Sequence, residues 1–339
     1  MVTEADFNKA AALIERSQRV LMTCHTRPDG DAVGSMRAMM EVLGGLGKGV
    51  DPLLLSPLAD WYAFLFETPL PVLTDDVSLE QLHNGRYDAC DLVLIIDTNS
   101  YVQLPEFDRW LRQNRTPVLV IDHHATSDAL GDVELIDAGA AAAGQIVFDW
   151  IRHAGWPLTP SIAEALFVAL STDSGWFKFS NADARLFRDA AALIEAGADP
   201  SAVYRRLYQN FSPARMNLMA RMLQRLELHC DGRVALQVIR RSDFDETGAT
   251  GRDTENLIDE CQRIGSVEVA VLLVELGEDP RRGQQGFRCS LRSKGGVDVR
   301  RIAQRWGGGG HRMASGVNLQ GDLDQIRSHI LQAIAEQLG

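Results

Sequence analysis

The chain has 339 residues, 45% of them hydrophobic and 24% charged, an ordinary globular composition with room for two domains. No apolar run approaches the ~20 residues of a membrane span, and residues 1–16 carry an amphipathic helix pattern without the apolar centre of a signal peptide. The net charge of −12 argues against coating long nucleic acid, and five scattered cysteines without a C-x-x-C argue against a disulfide framework or a structural zinc site, so a cytoplasmic protein with no membrane partner is expected.

After the first helix, Arg19-Val20-Leu21-Met22 reads as a short buried strand. It leads into Thr23-Cys24-His25-Thr26-Arg27-Pro28-Asp29-Gly30-Asp31-Ala32-Val33-Gly34-Ser35, and a helical pattern leaves with Val33, Met36, Met39, Met40 and Leu43 on one side. Pro28 and Gly30 interrupt any continuous helix. His25, Asp29 and Asp31 therefore lie on a turn at the carboxyl end of a strand, where open α/β sheets place their ligands. One imidazole and two carboxylates at this spacing can begin a site for a divalent cation. The same residues can also be plain turn chemistry, with Asp31 capping the helix.

Residues 50–55 read as a second strand and 61–66 as a short helix. Asp91-Leu92-Val93-Leu94-Ile95-Ile96-Asp97 is an unbroken apolar run ending in an acid, and Pro117-Val118-Leu119-Val120-Ile121-Asp122 repeats the design, with a helix expected at 106–114 between them. Such runs suit strands of a parallel sheet covered on both faces, and a right-handed crossover puts both acids on the edge that carries His25. Asp122-His123-His124 offers two adjacent rings that cannot point the same way; one suits a metal and the other a substrate, with the acid holding a ring. Helices are expected at 142–154 and 160–172, the second ending at Ser171-Thr172-Asp173-Ser174-Gly175, where Asp173 is either a turn residue or part of the site. Residues 184–228 are helical nearly throughout. A new α/β pattern then gives strands at 233–239, 267–276 and 286–292 and helices at 254–263, 298–305 and 323–337. Between the last two helices, Gly307-Gly308-Gly309-Gly310-His311-Arg312-Met313-Ala314-Ser315-Gly316 is either a loose connection or a backbone cradle for phosphate.

Charge is divided unevenly. Residues 1–190 hold 27 acidic and 14 basic side chains, whereas 281–312 hold nine Arg and Lys against Asp298 alone. An acidic half that could hold cations thus precedes a basic patch, an arrangement suited to a small phosphorylated substrate.

Taken together the motifs resemble the DHH phosphoesterase superfamily in its branch with a C-terminal DHHA1 domain. The matching residues are His25 to Ser35, Asp97, Asp122-His123-His124, Asp173, and Gly308-Gly309-Gly310-His311 with Ala314-Ser315-Gly316, preceded by Ser290-Leu291-Arg292-Ser293. The resemblance implies an α/β protein: a parallel-sheet DHH domain over 1–190, a helical connector over 191–229, and a smaller α/β DHHA1 domain over 230–339, with the active site in the cleft. It implies two divalent ions, Mn²⁺ first with Mg²⁺ or Co²⁺ as alternatives. His25 and Asp29 would hold one ion, Asp31, His123 and Asp173 the other, and Asp97 both. His124, oriented by Asp122, would contact the scissile phosphate. Arg288 and Arg292, sharing one face of a strand, would anchor the substrate with Gly308, Gly309, Gly310, His311, Arg312 and Ser315. The expected activity is that of the short, RecJ-like oligoribonuclease and pAp phosphatase group, acting on RNA of a few nucleotides from the 5′ end and on 3′-phosphoadenosine 5′-phosphate through water activated by two metals. A soluble phosphodiesterase for pApA or c-di-AMP, and a nucleotide-binding regulator without turnover, are the alternatives. No long nucleic acid is expected as partner, and a homodimer is left open.

Overall fold

A computed structural model describes every residue except Thr126, 280–283 and His311. The chain divides into two compact units, Met1–Asn210 and Phe211–Gly339. The division falls within the 191–229 span.

In the first unit the elements run α1 (Glu4–Arg16), β1 (Arg19–Cys24), α2 (Gly30–Gly45), β2 (Gly49–Pro52), a 3₁₀ turn at Asp60–Leu65, α3 (Leu79–His83), β3 (Leu92–Ile96), α4 (Phe107–Gln113), β4 (Val118–Asp122), β5 (Val133–Ile136), α5 (Ala143–Ala154), α6 (Pro160–Asp173), α7 (Ala184–Glu195) and α8 (Pro200–Tyr208). The strands form one parallel sheet in the order β2-β1-β3-β4-β5. Every residue of β3 and β4 is buried because alternate side chains enter different cores. Leu92, Leu94 and Ile96 pack with α1, α2, α5 and α6, while Val93 and Ile95 pack with Leu82, Phe107 and Leu111 on the other face. The unbroken Val/Leu/Ile runs are the sequence form of that double coverage. The chain leaves β1 toward β2 on one side and returns to β3 on the other. The β1/β3 boundary is therefore a topological switch point, and loops at its carboxyl edge diverge to leave a crevice.

The second unit contains α9 (Pro213–Gln224), β6 (Glu227–His229), β7 (Val234–Ile239), α10 (Arg241–Thr247), β8 (Val269–Asp279), β9 (Gln284–Ser293), α11 (Val299–Gln304), β10 (Gly309–Gly310), β11 (Ala314–Gln320) and α12 (Leu323–Leu338). Its mixed sheet has the order β10-β11-β9-β8-β7-β6, with β7 and β8 parallel and the other pairs antiparallel. α11 and α12 cover one face; residues of α9 and the 257–261 segment cover part of the other.

Two expected elements need correction, and one of the two readings of the glycine run is closed. Residues 254–263 do not form an α-helix: two 3₁₀ segments, Gly251–Thr254 and Leu257–Arg263, are separated by Asn256 with φ +58°, a left-handed residue that breaks helical continuation. The helical run from 184 ends before Leu228, which pairs with Ala235 as a strand. Gly309–Gly310 is not loose but pairs with Ser315 and Gly316. The five cysteines are free, and among the described residues no helix is long and apolar enough to cross a membrane.

Candidate active site

The carboxyl edge of the first unit's sheet gathers the acids and imidazoles. β1 leads directly to His25, β3 to Asp97, and β4 ends at Asp122 with His123 and His124 following. Asp29, rather than Asp31, is the N-cap of α2: its Oδ1 accepts from the backbone N–H of Asp31 at 3.0 Å and of Ala32 at 3.1 Å. That leaves Asp31, fully buried, to turn inward. Its Oδ2 accepts from Ala143 N at 2.6 Å and its Oδ1 from Gly144 N at 2.9 Å and Ser35 Oγ at 3.1 Å. The carboxylate thus sits on the positive end of α5.

Asp173 arrives from the end of α6 because α2 and α6 touch almost backbone to backbone. A Cβ on Gly30 would lie 2.4 Å from Thr172 Oγ1, and one on Gly34 would lie 2.4 Å from the Ala165 carbonyl. The glycines of the Asp29–Ser35 stretch are therefore packing residues, and the packing brings Asp31 and Asp173 together.

The two histidines nearest Asp97 share one orientation. His25 Nδ1 lies 2.9 Å from the Thr26 carbonyl and His123 Nδ1 lies 3.3 Å from the Ala140 carbonyl. A carbonyl only accepts, so each Nδ1 carries the proton and each Nε2 faces the carboxylates. His25 Nε2 is 3.3 Å from Asp97 Oδ2 and 3.8 Å from Asp29 Oδ1. His123 Nε2 is 3.5 Å from Asp97 Oδ1 and 3.8 Å from both Asp31 Oδ2 and Asp173 Oδ2. His124 is held differently. The buried Asp122 Oδ1 accepts from its ring Nδ1 at 2.7 Å and from its backbone N–H at 3.2 Å.

Ligand-capable atoms fall into overlapping groups, each within 4.8 Å: His25 with Asp29 and Asp97, Asp31 with His123 and Asp173, and Asp97 with His123 and His124. Asp97 is 2% exposed, and its Oδ1 is buried without a hydrogen-bond partner among the described residues. An orphaned carboxylate oxygen amid hard oxygen donors and imidazole nitrogens fits a divalent cation. Charge points the same way. Burial, then the neighbouring Asp31, holds the Asp97 carboxyl well above its usual range. Burial with Asp31 and Asp29 pushes Asp173 up to about 8. Burial opposes the charged form of His25, yet Asp29 and Asp97 outweigh it and raise the imidazole well above its ordinary value. The site stores unfavourable negative charge that a cation would relieve.

In the second unit, Arg288, Ser290 and Arg292 alternate with the buried Phe287, Cys289 and Leu291 and share the other face of β9. Arg288 donates to Thr254 Oγ1. Arg292 Nε lies 3.3 Å from Asp259 Oδ1. Ser315 stands opposite Leu291 in the register, so it belongs to the alternate face and is 6% exposed. Gly308 lies tight against β11, where a Cβ would come 2.4 Å from the Gly316 carbonyl; Gly309 and Gly310 form β10. Arg312 is exposed and donates to the Gly295 carbonyl at 3.3 Å. His311 lies outside the described residues.

Sequence reasoning missed the loop between β5 and α5. Its alanines carry no chemistry in their side chains, yet its backbone holds both Asp31 and His123. Gly144 was the available signal, since a Cβ there would lie 2.5 Å from Ala169 Cβ.

A switch-point cluster of four aspartates and three histidines, followed by a mixed-sheet unit with paired arginines, is the organisation of a two-domain phosphoesterase. Two family models match it: DHH family, N-terminal domain, over residues 19–170, and DHHA1 domain over 231–336. The chain belongs to the DHH/DHHA1 phosphoesterase superfamily and is a hydrolase of that class. It is 29% identical over 327 residues to the bifunctional oligoribonuclease and PAP phosphatase NrnA of Thermus thermophilus, covering 94% of this chain and 90% of the relative. The Bacillus subtilis protein of the same name is 25% identical, covering 88% and 89%. Among solved structures, an exopolyphosphatase-related protein from Bacteroides fragilis superposes with a TM-score of 0.88 at 22% identity, covering 99% of this chain and 97% of that one, which establishes the shared fold.

Proposed function

We propose that the chain hydrolyses oligoribonucleotides of a few nucleotides from the 5′ end and removes the 3′-phosphate of 3′-phosphoadenosine 5′-phosphate, with two divalent ions, manganese first. The observation that carries this reading is the two ligand groups His25–Asp29–Asp97 and Asp31–His123–Asp173, linked because Asp97 also groups with His123. Near-full-length similarity to two proteins named as oligoribonuclease and PAP phosphatase supports the substrate class. His25 and Asp29 would hold one ion and Asp31, His123 and Asp173 the other, with Asp97 available to both. Oxygen donors beside imidazole favour manganese or magnesium over thiolate-seeking metals. Two such ions, when bound, lower the pKa of water and neutralise the attacked phosphate.

The protein supplies the remainder. Asp122 accepts from the His124 ring and fixes its orientation, so that ring can meet the charge developing on the phosphate oxygens. Arg288 and Arg292 offer guanidinium groups to a terminal phosphate, where charge-assisted and bidentate hydrogen bonds are the strong ones. An anchored terminal phosphate sets the 5′-to-3′ polarity. A net charge of −12 gives long RNA no extended basic track.

The test is a side-by-side Mn²⁺ assay of pAp, pApA, c-di-AMP, five-nucleotide RNA, long RNA and single-stranded DNA. Turnover of pAp and the five-nucleotide RNA, falling as the RNA lengthens, is expected. Preference for c-di-AMP or for the longest RNA would overturn the reading.

A further inference from the structure

We propose that Asn181 is a positioning residue for the Asp31–His123–Asp173 metal half-site, acting through backbone and touching no ligand side chain. The inference rests on the metal-binding reading above and adds a residue outside the ligand set.

The geometry begins with the loop joining β5 to α5. Its Ala140 carbonyl fixes the His123 ring at 3.3 Å. Where it enters α5, the N–H groups of Ala143 and Gly144 clasp both oxygens of Asp31. Two of the three ligands therefore follow this loop wherever it goes. The third, Asp173, belongs to α6 and is carried by different packing.

Asn181 connects the two. Its Nδ2 donates to the Ala141 carbonyl at 3.1 Å and to the Asp173 carbonyl at 3.3 Å. One amide group thereby spans the loop that orients Asp31 and His123 and the residue that supplies Asp173. Both acceptors are carbonyls, so only the NH₂ end can serve; the opposite amide orientation would set oxygen against oxygen. Its own Oδ1 is buried without a hydrogen-bond partner among the described residues. A buried acceptor left unsatisfied is costly, and here it accompanies the two donor contacts. The loop is braced from its other side as well: Gln145 Oε1 accepts from Ala141 N at 2.9 Å while its Nε2 donates to Asp189 at 2.6 Å. Ala141 is thus gripped through its N–H by Gln145 and through its carbonyl by Asn181, and only the second grip reaches a metal ligand. Groups that orient ligands from behind govern metal affinity by about 10–100-fold.

The experiment measures Mn²⁺ binding by calorimetry on the whole chain as wild type, Asn181→Ala and Asn181→Ser, with melting temperature recorded in chelator. Wild type is expected to bind two ions. Asn181→Ala should retain one ion near wild-type affinity, held by His25, Asp29 and Asp97, and weaken the second by about 10–100-fold. Asn181→Ser keeps one hydroxyl donor and should fall between, which preserves the test if the alanine variant does not fold. Wild-type affinity at both ions in either folded variant, or equal weakening of both, would overturn the proposal. A wild type that binds no ion would instead refute the metal reading on which it rests.

Discussion

The two units hold their charged residues in opposite ways. In the first, the carboxylates and imidazoles are fixed by backbone: Asp29 by its own helix N-terminus, Asp31 by the start of α5, and the two rings by carbonyls. In the second, Arg288 and Arg292 meet side chains, Arg292 against Asp259 and Arg288 against Thr254. Backbone cannot rotate away, so the first arrangement presents a constant geometry that reacting atoms require. Side-chain partners exchange readily, so under the proposed function the second would release a protein partner and take a substrate phosphate. The proposed function thus gives rigid chemistry and exchangeable anchoring to different units, and substitutions should separate them.

The largest effect is expected at Asp97. Asp97→Ala removes the carboxylate common to two ligand groups, and activity should fall by more than about 100-fold, beyond what loss of an outer partner costs, with the circular dichroism spectrum unchanged. Near-wild-type Mn²⁺ rates would remove Asp97 from the centre. Arg292→Ala should weaken kcat/KM for pAp and 5′-phosphorylated dinucleotides by about 10- to 150-fold, the equivalent of ~1.5–3 kcal/mol for one charge-assisted contact. Bis-p-nitrophenyl phosphate lacks the anchored end and should be hydrolysed almost as before; equal losses on both substrates would assign the arginine to chemistry or folding. Gly30→Ala drives a methyl into Thr172 and should destabilise the protein by roughly 1–3 kcal/mol through overpacking, read as a lower denaturant midpoint. An unchanged midpoint would mean that α2 and α6 separate without cost.

A smaller effect concerns pH. Unfolded aspartates titrate near ~3.9, whereas burial and neighbouring acids hold folded Asp173 at about 8 and Asp97 well above its usual range. Between those values the folded chain binds more protons than the unfolded one, so stability in chelator should decline as pH rises from about 4 to about 8. A divalent cation displaces those protons, and the rise in Tm on adding Mn²⁺ should grow over the same interval. A cation-induced shift that is flat from pH 5 to pH 8 would contradict this account.

Much of the first unit was legible because its signals are side-chain signals. Unbroken apolar runs at 92–96 and 118–121 mark strands buried on both faces, and an acid at each end marks the carboxyl edge. What escaped reading is work done by backbone. Residues 137–144 consist mostly of alanine and glycine, so nothing in their composition shows that they hold Asp31 and His123. Asp31 reads as the cap on paper, yet Asp29 takes that place and Asp31 turns inward onto the N–H groups of Ala143 and Gly144, partners distant in sequence. In the second unit, β11 escaped because Ala314, Ser315, Gly316 and Asn318 have low strand propensity, and its pairing with β9 is a long-range event. The helical periodicity of 254–263 misled because a single left-handed Asn256 outweighs it.

The most direct measurement titrates the chelated protein with Mn²⁺ while following bound metal and hydrolysis of pAp in the same samples. Two ligand groups linked through Asp97 and His123 predict that activity rises with added metal and saturates at two ions per chain, with little turnover at one. Saturation at a single ion, or full activity in chelator, would contradict the account.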